Sequence, residues 1–327
     1  MMMQNKESRN QIRNSKIENL NSNHYLFLGR KKKLWFTISL GLFIVGILFL
    51  IIWKLPFGID FKGGAQMDLS FDKPVGETDL RQKVSEYPDV EGLVVTKTDQ
   101  SALTLRMLPI TNEQHQAIIK KINEDFGSVT EKQYQLVGPS VSQDLTRKAI
   151  LAVVLASVFI ILYLAYSFRT VTFPVSSWRF GVVAVVALLH DLVITVGVFS
   201  ILAHFFHFEV DASFITALLT VMGFSVHDTI VVFDRIRENL AKHKEESLGF
   251  ETIADMSLSQ TLNRSMATSL TVIFTLTALT VMGGESIRGF VVTLLIGIVI
   301  GTYSSIFTAT PLLVVWQNRI NHHGKHI

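Results

Sequence analysis

The sequence predicts a polytopic α-helical membrane protein of six transmembrane helices, with an α+β ferredoxin-like domain inserted between the first and second spans. Three observations carry this. Of 327 residues, 49% are hydrophobic and only 17% charged, and the mean hydropathy is +0.37, too apolar for an ordinary soluble domain. Apolar runs of spanning length recur along the chain. Between the first two of them, Leu55 to Lys148 instead mixes short alternating strands with amphipathic helices.

Residues 1–33 are polar and end in Arg30-Lys31-Lys32-Lys33, the pattern of a solvated tail with a basic stop at a membrane surface. The apolar run 34–53 follows. It lacks a small-residue cleavage site, which makes it a retained anchor. The 54–148 segment opens with GIDFKGG, where Gly58, Asp60, Gly63 and Gly64 supply turn chemistry. AQMDLSF then alternates as a strand and ETDLRQKVSEY has the period of a helix. EGLVVTKTD and SALTLRML are strands, TNEQHQAIIKKINEDF a second helix, and EKQYQLV a last strand before Gly138-Pro139. That order of elements is the ferredoxin-like one.

From 149 to 316 the chain is a five-helix membrane region, with apolar runs near 149–168, 180–203, 212–233, 266–283 and 288–316. Near 247–262, Phe250, Ile253, Ala254, Leu258 and Leu262 share one helical face, the pattern of a linker helix lying on the cytoplasmic surface. A short tail, 317–327, ends the chain. Lys and Arg number eight in the first tail, two in the 168–179 loop, five in the 234–265 loop and two in the last tail. The short opposite loops hold only Arg288. The positive-inside rule then places both termini in the cytoplasm and the 54–148 domain outside. The formal net charge of +3 fits such orientation signals and gives no reason to expect nucleic acid as a partner. With no cysteine, disulfides, thiolate catalysis and cysteine-ligated metals are excluded.

Three polar features stand inside the apolar runs. Asp228 shares a narrow, mostly small-residue helix face with Ala217, Val221, Ser225, Val232 and Arg235. A carboxylate in a span is costly, so it marks the chain's expected functional centre. His190-Asp191 lies in span three, with Ala184, Ala187, Asp191 and Thr195 on one face. Arg264 heads a third stripe, followed by Thr268, Thr271 and Thr275. Together these side chains have the chemistry of a wet proton path: acids, a counter-charge and hydroxyls. Plainer readings stand beside it. The threonines also serve as packing groups bonded to their own helix, Arg264 as a snorkelling flank and Asp191 as a structural acceptor. Gly297, Gly301 and Ser305 form a small-residue packing ridge in span six. Adjacent His and Asp project about 100° apart on a helix, so neither His-Asp pair makes a metal site. No metal, cofactor or enzyme chemistry is expected.

Several of these motifs resemble the SecD/SecF family, on its SecF side. GIDFKGG resembles the family's opening motif after the first span, and VGPSVSQDL the one before the second, with Ser142 where many members carry glycine. GFSVHDTIVVFDRIREN resembles the fourth-span signature, with His227 where asparagine is common. LNRSMATS and GGESIRGF also match. The resemblance runs from about Phe57 to Trp316. It implies half of an RND-type architecture in the bacterial inner membrane. SecD and the SecYEG translocon are the implied partners, YajC a further candidate, and a translocating unfolded polypeptide the substrate. It also implies use of the proton-motive force late in translocation, with proton passage at Asp228 and Arg264. A proton-coupled exporter of small lipids or drugs and a non-transporting assembly subunit are the rival functions.

Overall fold

The computed structural model describes residues 27–88, 90–97, 101–169, 176–244 and 248–323. Most of the expected N-terminal tail (1–26), the end of the C-terminal tail (324–327) and residues 170–175 of the loop after span two lie outside them. Helix α1 (Phe27–Trp53) is the first span. A single turn, α2 (Ile59–Lys62), then leads into β1 (Gly64–Phe71). The turn needs glycine at its exit. Gly63 has φ +76° and Gly64 φ +149°, and a Cβ on Gly64 would stand 2.7 Å from the Met107 carbonyl oxygen.

Helix α3 (Glu77–Ser85), strands β2 (Val94–Lys97) and β3 (Ala102–Met107), helix α4 (Asn112–Phe126) and strand β4 (Val129–Val137) complete the inserted domain. Thr111 and Gln114 close a capping box at the start of α4. The sheet is antiparallel in the order β2-β3-β1-β4, the ferredoxin-like arrangement. Alternation sorts its two faces. Met67, Leu69, Leu103 and Leu105 meet Leu80, Val84, Ile118 and Ile122 of the helices in a closed core. Gln66, Asp68, Thr104, Arg106, Gln133 and Gln135 face the other way and line a polar cleft of about 790 Å³ against the 206–213 connection.

Gly138-Pro139 does more than end the domain. Pro139 is the first residue of α5 (Pro139–Ser167), a position where its missing N–H costs nothing. Residues 139–148, expected in the domain, are therefore the first turns of the second span. Helices α6 (Ser177–Phe206), α7 (Ala212–Lys242), α8 (Phe250–Met282) and α9 (Glu285–Ser304) follow. A π-helical turn, Ser305–Ala309, joins α9 to α10 (Thr310–His323), and together they make the sixth span. The described residues thus contain six helices long and apolar enough to cross a membrane.

The segment near 247–262 departs from expectation. It is no separate linker helix, because Phe250 to Met282 is one unbroken helix. Its apolar face was legible, since Phe250, Ile253, Ala254 and Leu258 are buried in the main core. That core is shared with α7, and Asn239 donates to Ser257 Oγ at 2.8 Å and to Gln260 Oε1 at 3.0 Å.

Spans three, four and six form the buried centre, whereas spans one, two and five leave most of their apolar side chains outward. Small residues set the close approaches. Gly197 of α6 lies against Gly46 of α1, Gly297 of α9 against Val221 of α7, and Gly301 against Ser225. At the domain end, the chain entering the domain pairs with the connection between spans three and four. Gly58 N–H donates to the Val210 carbonyl at 2.9 Å, and Val210 N–H to the Pro56 carbonyl at 2.8 Å. Asp60 Oδ2 accepts from the Ala212 N–H at 2.8 Å, and Arg106 of β3 pairs with Glu209. Burial pushes the Glu209 carboxyl above the usual glutamate range, against the opposing pull of Arg106 and Lys62.

Candidate functional site in the membrane domain

Asp228 sits midway along α7, on the face that meets spans five and six. Its side chain is nearly buried, at 8% exposure. Ser269 Oγ of α8 donates to Asp228 Oδ2 at 3.3 Å, and Thr302 Oγ1 of α9 donates in turn to Ser269 Oγ at 2.8 Å. Ser265 stands beside the same carboxylate, its buried hydroxyl otherwise without a hydrogen bond among the described residues. This is a carboxylate solvated by hydroxyls from two neighbouring helices. His227, next along the chain, points outward and is exposed.

Arg264 is not part of that cluster. It is exposed on the outer side of α8, and no ion pair joins it to Asp228 among the described residues. The expected charge pair is therefore not made within this chain. Thr268 and Thr271 share the outer surface and are exposed. Thr268 donates to the Arg264 carbonyl at 3.0 Å, Thr271 to the Thr268 carbonyl at 2.7 Å and Thr275 to the Thr271 carbonyl at 2.9 Å. Each hydroxyl is thus satisfied by its own helix. The stripe that does meet Asp228, Ser265 and Ser269, is offset by one residue and lies in the same LNRSMATS segment. Small-residue packing against Asp228's face was the available signal for it. Thr302 had no comparable signal, because its role depends on how span six docks.

The second carboxylate, Asp191, is fully buried. Its Oδ2 accepts from Ser225 Oγ of α7 and Ser304 Oγ of α9, each at 2.5 Å. Its Oδ1 lies 3.0 Å from His190 Nδ1, and His190 Nε2 lies 3.2 Å from the Ser39 carbonyl oxygen of α1. Ser225 therefore serves Asp191, not Asp228, although it shares the latter's helix face. Gly297 and Gly301 face α7, and Ser305 is buried with its hydroxyl on the Thr302 carbonyl at 3.1 Å. Gly58, Gly63, Gly64, Asp60, Gly138 and Pro139 all lie at the domain junction, where Asp60 also accepts from Gln135 at 3.3 Å.

Six candidate spans, an inserted ferredoxin-like domain and two carboxylates held by hydroxyls between the spans define the class: a multi-pass membrane protein with ionisable groups buried among its helices. Residues 117–319 match the family described as "Protein export membrane protein SecD/SecF, C-terminal", and residues 53–75 match the "SecD/SecF GG Motif". The chain is 45% identical over 296 residues to the protein translocase subunit SecF of Thermobaculum terrenum, covering 87% of this chain and 92% of the relative. To the SecF subunit of Anaerolinea thermophila it is 38% identical over 292 residues, covering 88% and 93%. The crystal structure of SecDF, a translocon-associated membrane protein from Thermus thermophilus, superposes with a TM-score of 0.79 at 29% identity. That match covers 91% of this chain but 39% of the SecDF chain, so this chain spans about two fifths of SecDF. SecDF in its super-membrane-facing form gives a TM-score of 0.65. The chain belongs to the SecD/SecF family of protein export membrane proteins, and it aligns with the SecF subunits over nearly their whole length.

Proposed function

We propose that the chain is the SecF-type half of a proton-driven export motor, paired with a SecD-type chain in the bacterial inner membrane. It assists unfolded polypeptides late in their passage through the SecYEG translocon. The supporting observation is Asp228, buried in a span, solvated by hydroxyls and without a Lys or Arg ion-pair partner among the described residues. A fixed negative charge there costs several kcal/mol. Such a site is suited to taking up and releasing a proton rather than to holding a permanent ion pair. Each proton crossing the membrane supplies about 2.3 kcal/mol per 100 mV, enough to bias helix packing between two arrangements.

Arg264, Thr268 and Thr271 lie on the outer surface of span five, the side we assign to the SecD-type half. Arg264 then acts on the proton route in the assembled pair, not within this chain. Asp191 and Ser225 extend the polar path towards spans three and six. The Lys and Arg distribution supports cytoplasmic termini and an extracytoplasmic inserted domain. Motion of span four reaches that domain directly, because Ala212, the first residue of α7, is bonded to Asp60.

The test is reconstitution. Membranes lacking the chain are supplied with it, and its co-isolation with a SecD-type chain and the translocon is measured beside gradient-dependent completion of export. Recovery of both is expected. Recovery of association with gradient-independent export would contradict the motor and favour an assembly subunit.

A further inference from the structure

We propose that His190 and Asp191 form a second proton-binding site, separate from Asp228, whose occupancy decides whether the stretch of span one around Ser39 stays tied to span three. The inference deepens the proton-driven reading above, and its readout is taken at His190 rather than at Asp228.

His190 Nε2 faces a carbonyl oxygen, that of Ser39, and a carbonyl only accepts, so this nitrogen carries hydrogen. His190 Nδ1 faces Asp191 Oδ1, so one more proton lies between them. It sits either on the imidazole, as an ion pair, or on the carboxyl, as a neutral pair. Asp191 Oδ2 is already taken by the hydroxyls of Ser225 and Ser304. The occupied pair has zero net charge in both forms, which suits a site where Asp191 is fully buried and His190 nearly so.

Loss of the bridging proton sets an imidazole lone pair against a carboxylate oxygen and leaves one uncompensated charge. Nothing packed around the pair compensates it. Span one has no ionisable residue between Lys33 and Lys54, and span two none but Tyr163 and Tyr166 between Lys148 and Arg169. Span six offers only Tyr303 between Arg288 and Arg319. On span four the nearest are His227, which points outward, and Asp228, which meets Ser269 on the other side. The repelled ring then leaves Asp191, and with it goes the bond from His190 to the Ser39 carbonyl of span one. Span one keeps its separate approach at Gly46 and Gly197, so the change is confined to the stretch around Ser39. Phe43 stacks on His190 with centroids 6.0 Å apart, and Ser39 Oγ lies 2.8 Å from Thr308 Oγ1 and 3.2 Å from Tyr303 Oη.

Two further observations place the pair on a polar trail. Thr195, one turn nearer the domain, is buried with its hydroxyl unpartnered among the described residues. Ser200 beyond it donates to the Lys54 carbonyl at 2.8 Å, where span one gives way to the domain. Span one is also the helix that enters the domain, so loosening it around Ser39 bears on how that helix meets the domain.

The experiment uses the full chain in lipid nanodiscs, alone and with a SecD-type partner. Imidazole ¹⁵N signals of His190 are assigned by their loss in His190→Gln and followed against pH. A distance is recorded in parallel between spin labels at the outward positions Leu42 and Leu189, placed through cysteines the chain otherwise lacks. We expect one step in which Nδ1 changes while Nε2 keeps its proton, with the label distance lengthening above it. Asp191→Asn should abolish the step, Asp228→Asn should leave it in place, and His190→Gln should remove the pH dependence of the distance. A wild-type His190 signal constant over the whole range in which the protein stays folded would overturn the proposal. So would an unchanged step in Asp191→Asn, or a label distance indifferent to the step.

Discussion

Gly301 of span six lies so close to Ser225 of span four that a Cβ on it would stand 3.1 Å from the serine's own Cβ. The same serine donates to Asp191, so helix packing and the polar cluster share one residue. Gly301→Ala should displace Ser225 by a few tenths of an ångström and weaken its bond to Asp191. Gly297→Ala overlaps Val221 directly and should cost more, within the roughly 1–3 kcal/mol typical of overpacking. Thermal unfolding in nanodiscs should rank wild type, Gly301→Ala and Gly297→Ala in falling order.

Gly64→Ala should prevent proper closure of the inserted domain. The residue combines φ +149° with a Cβ position 2.7 Å from the Met107 carbonyl oxygen, and Gly64 and Met107 border the paired central strands. Residues 64–137 enclose their own core, so the excised segment should show protected amides by hydrogen exchange. The Gly64→Ala version should lose that protection along β1 and β3.

Glu209 gives a pH prediction. Its carboxyl titrates above the usual glutamate range because burial outweighs the pull of Arg106. Between the ordinary value and the raised one, the folded protein binds more protons than the unfolded chain. Stability contributed here is therefore greatest below the ordinary glutamate value and falls as pH rises through that window. Unfolding followed against pH should show this decline in wild type and lose it in Glu209→Gln.

Much of this architecture was legible in the sequence. Strand alternation and helical periods placed the four strands and the two longer helices of the inserted domain, because its core is amphipathic and local in pattern; the single turn Ile59–Lys62 lay within the segment read as turn chemistry. The apolar runs gave the six spans. Helix ends inside apolar or partly polar stretches were harder. α5 begins at Pro139 and α8 at Phe250, because both helices continue past the apolar run that marks the span. The site was half legible. Asp228 and Asp191 stand out by cost alone, yet their partners are fixed by how helices dock, which no single-helix period encodes. The Arg264 stripe and the Ser265–Ser269 stripe differ by one residue, about 100° of rotation, and only packing decides which of them faces in.

Thr268→Ala and Thr271→Val should leave the isolated chain's stability within about 0.5 kcal/mol of wild type, because both hydroxyls bond to their own helix on an exposed face. If that face receives the SecD-type half, the double variant should weaken co-isolation with it. Ser269→Ala should behave oppositely, disturbing Asp228's solvation and the gradient response while leaving association unchanged. Paired pull-down and unfolding measurements separate the two patterns.

If Asp228 works by gaining and losing a proton, gradient-dependent export in membrane vesicles carrying Asp228→Asn should reveal it. The amide keeps the volume and can still accept from Ser269, but it cannot titrate. With assembly verified by pull-down, export should fall to the level seen without a gradient, and Asp228→Glu should keep partial activity. Full gradient-dependent export in the asparagine variant, with the glutamate variant impaired, would contradict that role and make Asp228 a structural acceptor.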